Sequence, residues 1–151
     1  MTNEQFHKSV FLLIQEKAVR SLLAVGPCIA LLTTGGERMF CRGCPPEEFP
    51  IFARELIAER LAVNVAYISE AWAAQVSKED AYDHTVVVSE REDKFDVIII
   101  TVIDATSQGM ASHRVDGDNV LEAELQYDIQ GRMVAWFSQA DYIVPPQQTV
   151  H

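Results

Sequence analysis

The segment Phe95-Asp-Val-Ile-Ile-Ile-Thr-Val-Ile103 decides the fold class of this chain. Its apolar run is too continuous for a strand with one face in water, and its β-branched side chains favour extended backbone. We therefore expect a central strand that is covered on both faces. A charged turn at 90–94 precedes it and a turn at 105–109 follows it, so its neighbours along the chain are expected to return beside it as antiparallel strands.

Strand-length segments continue on both sides of this central strand. Our predicted strands are 63–70, 85–88, 110–115, 120–127 and 132–137. Short turns join those that follow 85–88, whereas the segment 71–81 is left unassigned. In the segment 120–127, positions 121, 123, 125 and 127 are apolar or aromatic, whereas 122, 124 and 126 are polar. Such alternation is typical of a strand with one buried face, and we expect helices to cover that face.

The first half of the chain predicts two helices. Apolar residues recur at helical spacing through 6–23, and Thr2 or Asn3 can cap the start of this helix. A second helix is predicted for 50–61, because proline is tolerated in the first turn of a helix, where Pro50 would lie. A short hairpin separates the two helices.

Together these elements predict an α+β fold. Two helices in the N-terminal half pack on a largely antiparallel sheet of about six to eight strands, as a two-layer sandwich. The length of 151 residues is that of one domain, so we assign 1–151 to a single domain, with a frayed tail at 143–151.

Charge and cysteine content restrict the partners and the compartment. The chain carries 12 basic and 22 acidic residues, for a net charge of −10, which argues against nucleic acid and anionic membrane surfaces as partners. It has no apolar run long enough to cross a bilayer. Its three cysteines cannot all pair within one chain, which favours the reducing cytoplasm.

The cysteines form the first candidate site. Cys41 and Cys44 have the C-x-x-C spacing of thiolate ligands or a dithiol pair. If Gly35-Gly36 forms a two-residue hairpin turn, Cys28 and Cys41 become diagonal neighbours on one sheet face. Three thiolates and one histidine would then suit zinc. The alternatives are a redox pair or disulfide, and inert cysteines that act as small buried hydrophobic residues.

A polar group near the ends of strands forms the second candidate site. Glu70 and His84 could act as a general acid and base, and Asp83, His84 and His113 could hold a metal ion. The alternative is that these residues are solvated caps and turns. Trp72, close to Glu70, is a candidate for lining a binding groove.

These observations leave two hypotheses for function. The first is a non-enzymatic cytoplasmic module that binds another protein or itself, with a homodimer as the expected oligomer. The second is a small metal-dependent or cysteine-based enzyme or redox protein. The motifs of zinc proteases, serine hydrolases and phosphate-binding loops are all missing from the sequence, which favours the first hypothesis.

Overall fold

A computed structural model describes residues 1–41, 47–73, 92 and 94–127, with the side chains of residues 72 and 73 left out. Within these ranges, three helices pack against a six-stranded antiparallel sheet of order β2-β1-β3-β4-β5-β6. The helices are α1 (Asn3–Leu13), α2 (Lys17–Leu23) and α3 (Phe49–Arg60). The strands are β1 (Cys28–Thr33), β2 (Arg38–Cys41), β3 (Ala62–Ala73), β4 (Phe95–Ile103), β5 (Gln108–Asp116) and β6 (Asn119–Val120). The predicted α+β fold is confirmed.

Strand β4 is the central strand that the sequence predicts, with the predicted bounds. It pairs with β3 over nine positions and with β5 over seven. Its even-numbered residues Ile98, Ile100 and Val102 belong to one core cluster, and Ile103 belongs to a second cluster on the opposite face. Apolar side chains on both faces explain why the strand reads as a continuous hydrophobic run.

The helices divide between the two faces of the sheet. The first cluster joins buried residues of α1 and α2 to the even-numbered residues of β4, and the second joins α3 to β1 and β3. The first helix begins with the predicted cap: the Thr2 hydroxyl accepts from the Gln5 amide, and the Gln5 side chain accepts from the Thr2 amide. The third helix ends at Arg60 and is followed by Leu61, its C-cap, which has the left-handed conformation.

The predicted single helix over 6–23 is wrong, because it breaks at residues 14–16. The Arg20 guanidinium donates to the carbonyl oxygens of Ile14 at 2.9 Å and Gln15 at 2.6 Å, which replaces helical partners lost at the break. It also donates to the Asp118 carbonyl at 3.1 Å. Both halves keep their apolar residues in the first core cluster. No glycine or proline marks the break, so the sequence pattern alone does not reveal it.

The hairpin between β1 and β2 has a three-residue loop rather than the predicted two-residue turn. Ile29 pairs with Cys41 and Leu32 with Arg38, and the Thr33 amide donates to the Glu37 carbonyl at 2.9 Å. Gly36 has a φ of 83°, which the left-handed end of such a loop requires. The observed register therefore differs from the predicted one by one residue. Relative to β1, each side chain of β2 consequently lies on the face of the sheet opposite to the predicted one.

The predicted strand 120–127 is wrong beyond its first residue. Leu121 donates its amide to the Arg114 carbonyl, and Gln126 then exchanges both backbone hydrogen bonds with Met110. The chain therefore advances five residues from Leu121 to Gln126, whereas β5 advances only four residues between Met110 and Arg114. The extra residue makes the backbone of 122–125 leave the ladder, and 121–125 form an arch beside β5.

Some predicted elements lie outside the described residues, namely the strands 85–88 and 132–137 and the tail 143–151. Among the helices that the structure describes, none has both the length and the apolar character needed to cross a membrane.

Candidate functional site

The arch creates an open groove along α1. Leu12 and Phe11 of α1 form one wall, Ala123 and Leu125 form the other, and His113 of β5 lies at the base. The groove has a volume of about 780 Å³. This is the size of a site for a small molecule or a few side chains of a peptide.

The rim of the groove carries most of its charge. Three carboxylates, those of Glu4, Glu122 and Glu124, line it together with one ammonium group, that of Lys8. All four side chains are exposed. The groove is therefore apolar inside and net acidic at its edge, in keeping with the negative charge of the whole chain.

A hydrogen bond joins two residues on opposite sides of the groove. The Tyr127 hydroxyl donates a hydrogen bond to the Glu4 carboxylate. This bond lowers the pKa of Glu4 and raises the pKa of Tyr127 to about 12, because it stabilises the charged carboxylate and the neutral phenol. A Cβ on Gly109 would lie 3.2 Å from the Tyr127 ring, so the absent side chain at Gly109 allows the ring to lie over β5.

Two buried histidines meet at the base of the groove. The Nε2 atom of His7 on α1 lies 2.8 Å from the Nε2 atom of His113 on β5, and the two residues are 7% and 1% exposed. The Phe11 ring stacks on the His113 ring with a centroid separation of 4.7 Å and an interplanar angle of 22°. The orientation of His113 is therefore fixed by contacts on two sides.

The hydrogen bonds assign the protons of this pair. His113 Nδ1 lies 2.8 Å from the Leu121 carbonyl oxygen, which only accepts, so Nδ1 carries the proton. Burial lowers the pKa of His113. For His7, burial and then the neighbouring His113 ring lower the pKa to about 4. Both rings are thus neutral near pH 7. His113 Nε2 offers a lone pair, and His7 Nε2–H donates to it.

A second, smaller pocket of about 400 Å³ contains Glu70, with Arg20 and Asp96 in its lining. Burial, and then the charge of Asp96, raise the pKa of Glu70. Glu70 pairs with Ile98, and Ile98 pairs with His113, so the three form one row across the sheet. Glu70 and His113 are consequently two strand spacings apart, or about 10 Å, with a buried isoleucine between them.

The remaining members of the predicted polar group are Asp83 and His84, and both lie outside the described residues. The acid–base and metal hypotheses for Glu70, Asp83, His84 and His113 stay predictions. Trp72 belongs to β3 and pairs with Asp96, and its side chain lies outside the description.

The predicted cysteine corner depended on a register that is wrong. Cys28 is fully buried in the first core cluster, whereas Cys41 packs against the second cluster on the other face. From these positions the two thiols cannot converge on one zinc ion, because the sheet lies between them. Cys44 falls outside the described residues. Across the part of the chain that is described, no group of three His, Cys, Asp or Glu residues is placed to hold a metal ion.

Sequence reasoning missed His7 entirely. It lies 106 residues from His113 along the chain, and no short motif connects them. One signal was available: His7 occupies an inward position of the predicted helix, one residue after Phe6 and three before Val10, both buried. A polar ring at such a position requires a partner, and that partner could have been sought.

Comparison with protein families, with curated proteins and with solved structures finds no match to this chain.

Proposed function

We propose that this chain is a non-enzymatic binding module whose groove between α1 and the arch takes a short, basic and apolar segment of a partner protein. The observation that carries this proposal is the combination of an apolar interior with a rim of three carboxylates and one ammonium group. A partner with alternating lysine and apolar side chains complements both features.

Exposed apolar side chains beside the groove support the same proposal. Leu12 is 68% exposed, Leu121 43% and Tyr127 46%, and all three lie on the elements that form its walls. Burying them against a partner contributes about 25 cal/mol for each Å² of apolar area removed from water. The backbone of the arch also leaves the sheet ladder, and within the described residues 122–125 make no backbone ladder bonds. The amide and carbonyl groups of 122–125 are available to an extended peptide.

Peptide titration tests this proposal. The probe is a fluorescent peptide of alternating lysine and leucine, and the comparison peptide has glutamate in place of lysine. We expect the lysine peptide to bind more tightly, with an affinity that falls as salt is added, since the rim charges are exposed and screened. No binding of the lysine peptide, or equal binding of both peptides, would contradict the proposal.

One matched pair of double variants locates the binding surface. The double variant Glu122→Gln/Glu124→Gln should weaken binding of the lysine peptide by roughly twofold to thirtyfold, at ~0.2–1 kcal/mol for each of the two exposed ion pairs. Its control is Glu55→Gln/Glu59→Gln on α3, which removes the same charge from an exposed surface away from the groove. Equal weakening in both variants would show that only net charge matters and would reject the groove.

Self-association through β2 is the second part of the proposal, and it gives the expected homodimer. In the described sheet, β2 lies at one edge and pairs only with β1. The outer backbone groups of such an edge can pair with a second copy across a two-fold axis. Size-exclusion chromatography with light scattering tests this directly: a dimer supports it, and a monomer at all concentrations overturns it.

The cytoplasm remains the proposed location. It is supported by the three cysteines, an odd number that a single chain cannot pair completely. A thiol count on freshly purified, denatured protein tests it, with three free thiols expected. A stable disulfide would favour an oxidising compartment instead.

A further inference from the structure

The base of the groove holds a feature that peptide binding does not use. Two neutral imidazoles face each other through their Nε2 atoms at 2.8 Å, and a single proton occupies the space between them. Buried histidine pairs need such a proton because two lone pairs would otherwise repel each other. Another electrophile, a transition-metal ion, can fill the same space, because neutral imidazole is a common ligand for such ions.

From this arrangement we propose that His7 and His113 bind a zinc ion through their Nε2 atoms, with the remaining coordination positions open to the groove. This goes beyond the proposed peptide groove and does not depend on it. Imidazole suits zinc, copper and nickel. Zinc in proteins usually has three or four protein ligands, so a site with two imidazoles needs water in at least two of its four positions.

The surroundings of His113 are those of a ligand held in place. Its Nδ1–H donates to the Leu121 carbonyl at 2.8 Å, which is the outer bond that orients a metal-binding imidazole and directs its Nε2 lone pair. The Phe11 ring fixes the plane of the imidazole from the other side. His113 therefore needs no change of tautomer to accept the ion.

His7 needs a small adjustment. Its Nε2 proton must leave and its Nδ1 must take one up by exchange with solvent, so the ring stays neutral while its Nε2 lone pair bonds the ion. Two waters leave the hydrated zinc ion in return. Two Zn–N bonds of ~2.0–2.1 Å at a tetrahedral angle place the nitrogens about 3.3 Å apart. The observed 2.8 Å must therefore widen by about half an ångström, and this widening requires the His7 ring to tilt while His113 stays in place.

The groove supplies access and a favourable field. Both histidines line it, so the ion has an entry path from solvent, and Glu4, Glu122 and Glu124 line the same space. Carboxylates at the mouth attract a divalent cation. Because only two protein ligands are placed by the described residues, the affinity should be weaker than that of closed four-ligand zinc sites.

Isothermal titration of the metal-free chain with zinc chloride tests the site. We expect one zinc ion per chain, and a loss of affinity of at least about tenfold in His7→Gln, since even outer partners of a metal ligand contribute 10–100-fold. Glutamine keeps an amide that can donate to His113. The control is Cys41→Ser, which should bind zinc as the parent chain does. No binding by the folded parent chain, or equal binding in His7→Gln, would overturn the proposal.

A second measurement avoids the risk that a buried variant does not fold. Nitrogen-15 spectra of the histidine rings of the parent chain are recorded with and without zinc. We expect the Nε2 signals of two of the four histidines to shift together, and cobalt to give an absorption spectrum without a thiolate charge-transfer band. A thiolate band, or unchanged signals for these two rings, would place the ion elsewhere and reject the site.

Discussion

Replacing Ile100 with alanine tests the assignment of the two sheet faces. Ile100 is fully buried at the centre of β4, between Ile68 of β3 and Ala111 of β5. Removing three buried carbons lowers the free energy of unfolding by about 2.4 kcal/mol, at ~0.8 kcal/mol for each CH₂. The cavity adds to this cost, because the backbone hydrogen bonds of both neighbouring strands limit collapse. We expect the free energy of unfolding to fall by about 4 kcal/mol in total, within the usual ~2–5 kcal/mol for such a substitution.

The control for this variant is Ile99→Ala. Ile99 is the neighbouring residue on the same strand, with the same side chain, but it points to the opposite face and is only half-buried. We expect a loss of about 1–2 kcal/mol there, since less area leaves water on folding. Urea unfolding followed by circular dichroism measures both, and a slope of about 2 kcal/mol per molar urea would separate the two midpoints by roughly 1 M. Equal losses, or a larger loss at Ile99, would refute the assignment of faces.

Three smaller predictions follow from local geometry. Thr2→Ala should lower the free energy of unfolding by about 1 kcal/mol through loss of the capping box, whereas Thr2→Ser should keep most of it; urea unfolding compares them. Gly36→Ala should cost about 1–2 kcal/mol because φ is 83°, whereas Gly35→Ala, where φ is not positive, should cost much less, and a reversed order would speak against the loop geometry. Tyr127→Phe should let the pKa of the Glu4 carboxyl rise toward its ordinary value of 4.5, visible in carbon-13 NMR titration; an unchanged pKa would exclude the hydrogen bond as its cause.

Local sequence patterns predicted the elements whose cause is local. The capping box at Thr2 depends on residues three apart, and the third helix begins within one residue of Pro50, where a missing amide is tolerated. The run 95–103 predicted a strand covered on both faces, and the observed strand has the same bounds. In each case the physical reason lies in the backbone and side chains of a few consecutive residues.

Elements that depend on distant partners were predicted incorrectly. The break near Ile14 is stabilised by the Arg20 side chain and by the Asp118 carbonyl from another part of the chain. The regular alternation of 121–127 indicated a strand, yet the arch follows β5 with one extra residue. In the hairpin, two adjacent glycines allow both a two-residue and a three-residue loop, and the sheet register decides between them.

The sequence by itself determined the α+β class, the central strand, the cap at Thr2 and the start of the third helix near Pro50, because these follow from short-range periodicity and from the chemistry of threonine and proline. Only the tertiary structure decided which side chains meet. It separated Cys28 from Cys41, because a one-residue change of register places a side chain on the opposite face of the sheet. It brought His7 within 2.8 Å of His113, because a helix packs over a strand that the chain forms 106 residues later. The helical position of His7 signals only that its ring needs a partner, whereas the identity of that partner depends on the packing of the whole fold.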